Sequence, residues 1–170
     1  MSALAQHLVA AQGYLELGMF EAAAEELEEI EPESRDLPDV LAFRFAIYSN
    51  LDKWAMAEVV ARHMVKLFPD DPAWRVDLAY ATRRCRSLEE AWQILLDAEK
   101  QHPQEAVIQF NLGCYACKMG NQEEAKRRVA TAIALDGKFR KEALDDPDLE
   151  PLWDEIARGH PVGDASAENT

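Results

Sequence analysis

The residues best suited to chemistry are the three cysteines, the four histidines and the many carboxylates. Cys114 and Cys117 form a C-x-x-C pair. Such a pair can chelate zinc when two further ligands stand at matching spacing, or cycle between thiol and disulfide when it opens a helix after a strand. Only Cys85 offers a third ligand here, and the helical spacing around 110–119 places the pair mid-helix. Small thiols packed between helices are the plainer reading. A metal or redox centre on Cys85, Cys114 and Cys117 stays open as an alternative, to be ended by anaerobically purified protein free of stoichiometric metal. His7, His63, His102 and His160 are scattered, and none stands beside a nucleophile. The sequence holds no G-x-S-x-G, no phosphate-binding loop and no H-E-x-x-H. With no assembly of acid, base and nucleophile, the expectation is a chain that is not an enzyme, with no catalytic residue, no cofactor and no bound metal.

The elements that carry these residues are helices. Leu112, Gly113, Ala116 and Met119 recur at helical spacing up to Gly120, which stops a helix because glycine takes the left-handed cap conformation without steric cost. Asn121 restarts the chain as an N-cap, with Glu124 three residues on. Ala125, Val129, Ala132 and Ile133 form the apolar stripe of a second helix. Neither helix can bury its stripe alone, and the chain supplies copies. Ala23, Ala57, Ala91 and Ala125 are spaced by 34 residues and are followed four residues later by Leu27, Ala61, Leu95 and Val129. Gly18 and Gly120 stand five residues before the alanine, and Pro69 and Pro103 twelve after it.

A fixed 34-residue period of helix-turn-helix units resembles the tetratricopeptide repeat (TPR) family over residues 3–156. The resemblance implies an all-α fold: a short right-handed superhelix of four repeats plus a C-terminal capping helix. The expected domain spans 1–158, with repeats at about 3–36, 38–71, 72–104 and 105–137, and a cap over 138–157. The stretch from Asp145 to Trp153 looks like the closing segment of bacterial TPR groups, with Leu149, Leu152, Trp153 and Ile156 covering the apolar end. Residues 159–170 have little to bury and are expected to be disordered. Two turns depart from the glycine pattern. Asn50 or Asp52 is expected to cap the second, and Arg86 replaces the glycine of the third. The connector from Glu31 to Asp39, with Pro32 and Pro38, is expected to be extended.

Composition narrows the partner. Thirty-two acidic against eighteen basic residues give a net charge of −14. That excludes duplex nucleic acid and an anionic membrane surface as favoured partners. No stretch approaches the roughly 20 apolar residues of a membrane span. The N-terminus lacks the basic start of a signal peptide. The expectation is a cytoplasmic acidic protein.

In the TPR family the first helices line a concave face where peptides bind. That frame implies a peptide-binding groove of Phe43, Val76, Tyr80, Arg83, Arg84, Phe110, Asn111, Cys114 and Lys118. Arg83, Arg84 and Lys118 interleave with aromatics and suit an acidic or C-terminal carboxylate group, with Tyr80 and Phe110 as anchors. The opposing reading has Arg83, Arg84 and Arg86 merely paired with glutamates of a neighbouring helix. The carboxylate clamp of chaperone-tail-binding TPRs does not match, because Leu8 and Gln12 fill its first slots. The resemblance implies an adaptor or scaffold that binds another protein or peptide. The alternative is a chaperone for a secreted or assembling client, dimerising through the apolar face of Leu4, Leu8, Val9 and Leu15.

Overall fold

The computed structural model describes residues 2–159. Expectations for the tail beyond Gly159, and for His160, fall outside the described residues. Among these, ten α-helices and two 3-10 turns account for the regular structure, and no strand occurs. The chain divides into two compact units, residues 1–87 and 88–170.

The first unit holds α1 (Ala3–Glu16), α2 (Phe20–Glu28), α3 (Pro38–Asn50), α4 (Trp54–Leu67) and α5 (Pro72–Cys85). Ser2 caps α1 by accepting a hydrogen bond from Ala5 N at 3.2 Å. Asp71 does the same for α5, accepting from Ala73 N at 2.9 Å. Proline stands at the first position of α3 and α5, where its missing N–H costs nothing. One core cluster gathers Ala11, Ala23, Leu27, Ile30, Val40 and Ile47, with Leu4, Leu8, Leu15 and Phe43 packed against it. A second gathers Leu41, Val60 and Met64 beside Phe45 and Trp74.

The second unit holds α6 (Leu88–Gln101), α7 (Ala106–Lys118), α8 (Gln122–Leu135), α9 (Phe139–Asp145) and α10 (Trp153–Arg158). α7 is buried nearly all round, from Ile108 to Cys117. Its Gly113 lets α8 come close: a Cβ there would stand 2.7 Å from Val129 Cγ2 and 3.3 Å from Val129 N. Arg128 is 5% exposed. It donates to Glu99, to Gln109 Oε1 at 2.8 Å and to Glu124 Oε1 at 2.8 Å. A buried charge held by two carboxylates and an amide is satisfied rather than stranded.

The helix turns follow the 34-residue period. Residues in the left-handed region are Gly18 (φ 70°), Asp52 (φ 55°) and Gly120 (φ 82°), with Gly159 closing α10. The first three share one hydrogen-bond pattern. The following N–H reaches back five residues, from Met19 to Tyr14 O, Lys53 to Tyr48 O and Asn121 to Ala116 O. That is the Schellman cap. Asp52 fills the glycine slot of the second turn, as an aspartate can. The equivalent third position is Arg86, which keeps a negative φ of −128°. The boundary between the two units falls one residue later, so α5 and α6, expected as one repeat, lie in different units.

The connector after α2 departs from expectation. In place of an extended crossing it forms a 3-10 turn at Pro32–Ser34. Arg35 explains the difference, because it turns back to donate to Ile30 O at 2.8 Å. The second helix ends at Glu28, two residues short of the expected Ile30.

Candidate functional site

Position along a helix decides what a side chain can reach. Residues four apart on one helix share a face. Val76, Tyr80 and Arg84 form such a stripe on α5, and Phe110, Cys114 and Lys118 form its repeat equivalent on α7, 34 residues later. The two stripes have different fates.

On α5 the stripe is open. Tyr80 is 39% exposed. Its ring meets the edge of Trp54, at the start of α4, with centroids 5.4 Å apart. The Arg84 guanidinium lies over the same indole at 4.8 Å and reaches Asp52 Oδ1 at 3.4 Å. Trp54 in turn donates Nε1 to Asp52 at 2.9 Å. Asp52 therefore closes the turn and also orients the aromatic and the cation beside it. Arg83 is partly buried. Phe43, on α3, packs into the first core cluster rather than standing open. Asp77, next to Val76, is half-buried. Burial pushes its carboxyl up to about 6, and the negative charge of Asp71 adds to the shift.

On α7 the stripe is covered. Phe110 is 7% exposed and stacks on Phe139 of α9 at 4.9 Å between centroids. Cys114 is buried and donates its thiol to Asp146 Oδ2 at 3.5 Å. Lys118 reaches Asp148 Oδ1 at 3.6 Å. Asn111 turns back on its own helix, donating to Val107 O at 2.9 Å. Phe110 and Cys114, expected as groove-lining residues, are both buried. The capping segment lies on them, because its 3-10 turn at Pro147–Leu152 packs against α7. Asp146 starts that turn by accepting from Asp148 N at 2.9 Å with its other oxygen. The signal in the sequence is Phe139 and the Asp146-Pro147-Asp148 turn. Sequence reasoning assigns the turn to capping the end of the chain and Phe139 to a short helix facing the fourth repeat.

The thiols are packed rather than activated. Burial raises Cys85 and Cys117 above their ordinary values, and in each the nearby acids add to this, Glu58 for the first and Asp148 for the second. No group of three metal-ligating side chains occurs among the described residues. Arg86 is held by Glu58 of α4 at 2.8 Å, and Arg62 by the same carboxylate at 2.6 Å. Glu58 is 3% exposed. Burial alone would raise its carboxyl, but the two arginines outweigh it and hold it below the usual range. Arg86 is thus paired with a glutamate of the neighbouring helix, while Arg84 pairs with Asp52 of the turn and lies over the half-buried Trp54.

Sequence reasoning missed a groove beside α4. It is a groove of about 560 Å³ lined by Leu41, Tyr48, Met56, Val59 and Val60. Val59 is 68% exposed there.

No family model matches the sequence, and no curated protein matches it. Solved structures do. MamA (MSR-1 C2) is 21% identical, covering 78% of this chain and 76% of that one, with a TM-score of 0.65. A further crystal structure of MamA is 16% identical over 87% of this chain and 88% of that one, at 0.67. A thermophilic TPR protein of Thermus thermophilus is 20% identical over 92% and 84%, at 0.66. At these identities the likeness establishes the fold, which is a TPR-type all-α helical repeat.

Proposed function

We propose that this TPR-fold chain is a non-catalytic interaction module, an adaptor or scaffold that binds a peptide or helix of another protein. The observation that carries the reading is the open stripe Val76, Tyr80 and Arg84 with Trp54 beneath it. A solvent-facing tyrosine and an arginine stacked on indole are the residue types that dominate binding energy, and the core does not need them. The binding surface contracts to this stripe, with Arg83 at its edge. Phe43, Phe110 and Cys114 are packed inside their own units.

Charge supports a protein partner over nucleic acid, since a −14 chain repels phosphate backbones. No helix among the described residues is long and apolar enough to cross a membrane. A cytoplasmic site of action is part of the proposal. The dimeric chaperone alternative asks for an open apolar face on α1. Leu4, Leu8 and Leu15 are packed on the unit's own core, while Val9 stays 63% exposed.

The test is affinity capture from native extract with the wild-type chain beside Tyr80→Ala and Arg84→Glu. A partner retained by wild type and lost by both variants, at unchanged helicity, is the expected result. Equal capture by all three would refute the site.

A further inference from the structure

The covered stripe shows what the open one can hold. Phe110, Cys114 and Lys118 each have a partner from the capping segment: the Phe139 ring, the Asp146 carboxylate and the Asp148 carboxylate. The occupant is thus an apolar ring followed, seven and nine residues on, by two acids separated by one residue. Val76, Tyr80 and Arg84 stand at the same three repeat positions with the same order of chemistry: apolar, weak donor, cation. We infer that the α5 stripe receives a segment of a partner protein with the chemistry of this chain's own cap, an apolar anchor followed by an acidic pair. The inference rests on the binding site proposed above and names the class of its ligand.

The substitutions between stripes favour an acidic ligand at α5 more than at α7. Tyr80 offers an O–H where Cys114 offers a weak S–H donor. Arg84 offers a planar fork that can grip a carboxylate with two N–H groups, where Lys118 offers a point charge. Val76 is smaller than Phe110 and leaves more room for an anchoring ring. Trp54 holds the guanidinium in place before binding. Asp52 accepts from Arg84 at 3.4 Å with its side chain 76% exposed, a long, solvated contact that an incoming carboxylate can replace. Asp77, the acid nearest the stripe in sequence, adjoins Val76 at the apolar end. It is seven residues from Arg84, roughly 10 Å along the helix.

The probe is a synthetic peptide of residues 138–158 of this chain, titrated into isotope-labelled full-length protein and followed by amide chemical shifts. The expected result is shifts centred on Trp54 and residues 76–84. Affinity should fall about tenfold or more with Arg84→Glu, as loss of a charge-assisted contact implies. It should fall likewise with a peptide carrying Asp146→Ala and Asp148→Ala, and stay unchanged with Lys118→Glu. Binding abolished by Lys118→Glu but not by Arg84→Glu would mean exchange with the resident cap and would overturn the inference. Absence of shifts at millimolar peptide would overturn it too. If the partner captured from extract still depends on Tyr80 and Arg84 in that case, the site stands and only the ligand class falls.

Discussion

Asp77 gives the sharpest energetic test of the open helix. Its carboxyl is raised from 3.8 to about 6, first by burial and then by Asp71. A shift of roughly two units corresponds to about 3 kcal/mol between the two protonation states. The sign follows from linkage. An acid with a raised folded-state value favours the fold in its neutral form. Its contribution is fully present below about 4 and is lost as pH rises through about 6. At pH 7 the native state therefore carries a charge it would rather not bury. Asp77→Asn removes that charge while keeping shape. The variant should gain about 2–3 kcal/mol at pH 7, or roughly 5–10 °C in Tm for a chain of this size. The gain should shrink through pH 6 and vanish near pH 4, where Asp77 is already neutral. Urea unfolding at pH 4, 5, 6, 7 and 8, monitored by far-UV circular dichroism, measures it. A gain that persists at pH 4 would show that charge is not its cause. No gain at pH 7 would show that Asp77 is well solvated, and either result refutes the reasoning. Asp71→Asn offers a check, because it keeps a capping side chain on Ala73 N while removing the second charge. Its effect should be the smaller of the two, in line with its place as the lesser cause.

Two further outcomes follow from the second unit. Gly113→Ala should destabilise by about 1–3 kcal/mol in urea unfolding, because its Cβ would meet Val129 Cγ2 at 2.7 Å. That outcome opposes the roughly 1 kcal/mol that helix propensity alone would add, and partial rescue by Val129→Ala would locate the clash. Arg128→Met should cost about 3–5 kcal/mol at pH 7 by stranding Glu99 and Gln109. Burial raises the Glu99 carboxyl, but the hydrogen bonds from Arg128 and Gln109 and the charge of Arg128 outweigh it and hold the value below 4.5. For Glu124 the hydrogen bond from Arg127 leads in the same direction. Stability from both is present above 4.5 and lost as pH falls through the lowered values. The acid limb of the unfolding curve should flatten in the variant relative to wild type.

The repeat was legible because its signals are local and periodic. Gly18 and Gly120 announce left-handed caps, and Ala23, Ala57, Ala91 and Ala125 mark where helices meet. Asp52 was readable as one of two candidates, since aspartate is among the few residues that tolerate positive φ. The connector escapes sequence rules because those for proline describe the residue before it and not the long-range reach of Arg35 to Ile30 O. The site was half legible. A 34-residue frame assigns Phe110, Cys114 and Lys118 the same role as Val76, Tyr80 and Arg84, since periodicity cannot see what a non-repeating segment will cover. A packing of Phe139 on the fourth repeat was readable, but only the folded chain brings Asp146 and Asp148 onto the second stripe.

That asymmetry separates two helices that stand at equivalent positions of the repeat. On α7 every member of the stripe is paired, the helix is buried nearly all round, and α8 adds close packing at Gly113. On α5 the same positions leave Tyr80 39% exposed and Arg84 exposed over a half-buried indole. The same helix holds Asp77 half-buried, with its carboxyl raised to about 6. Stability left unclaimed on one surface, when an equivalent surface of the same chain claims it, is the pattern expected where function constrains sequence. Asp77→Asn and Arg84→Glu thus probe opposite sides of the same trade. The first should raise stability and the second should lower binding, each with little effect on the other's readout. Coupled losses in both would show that α5 is simply a core helix of the first unit.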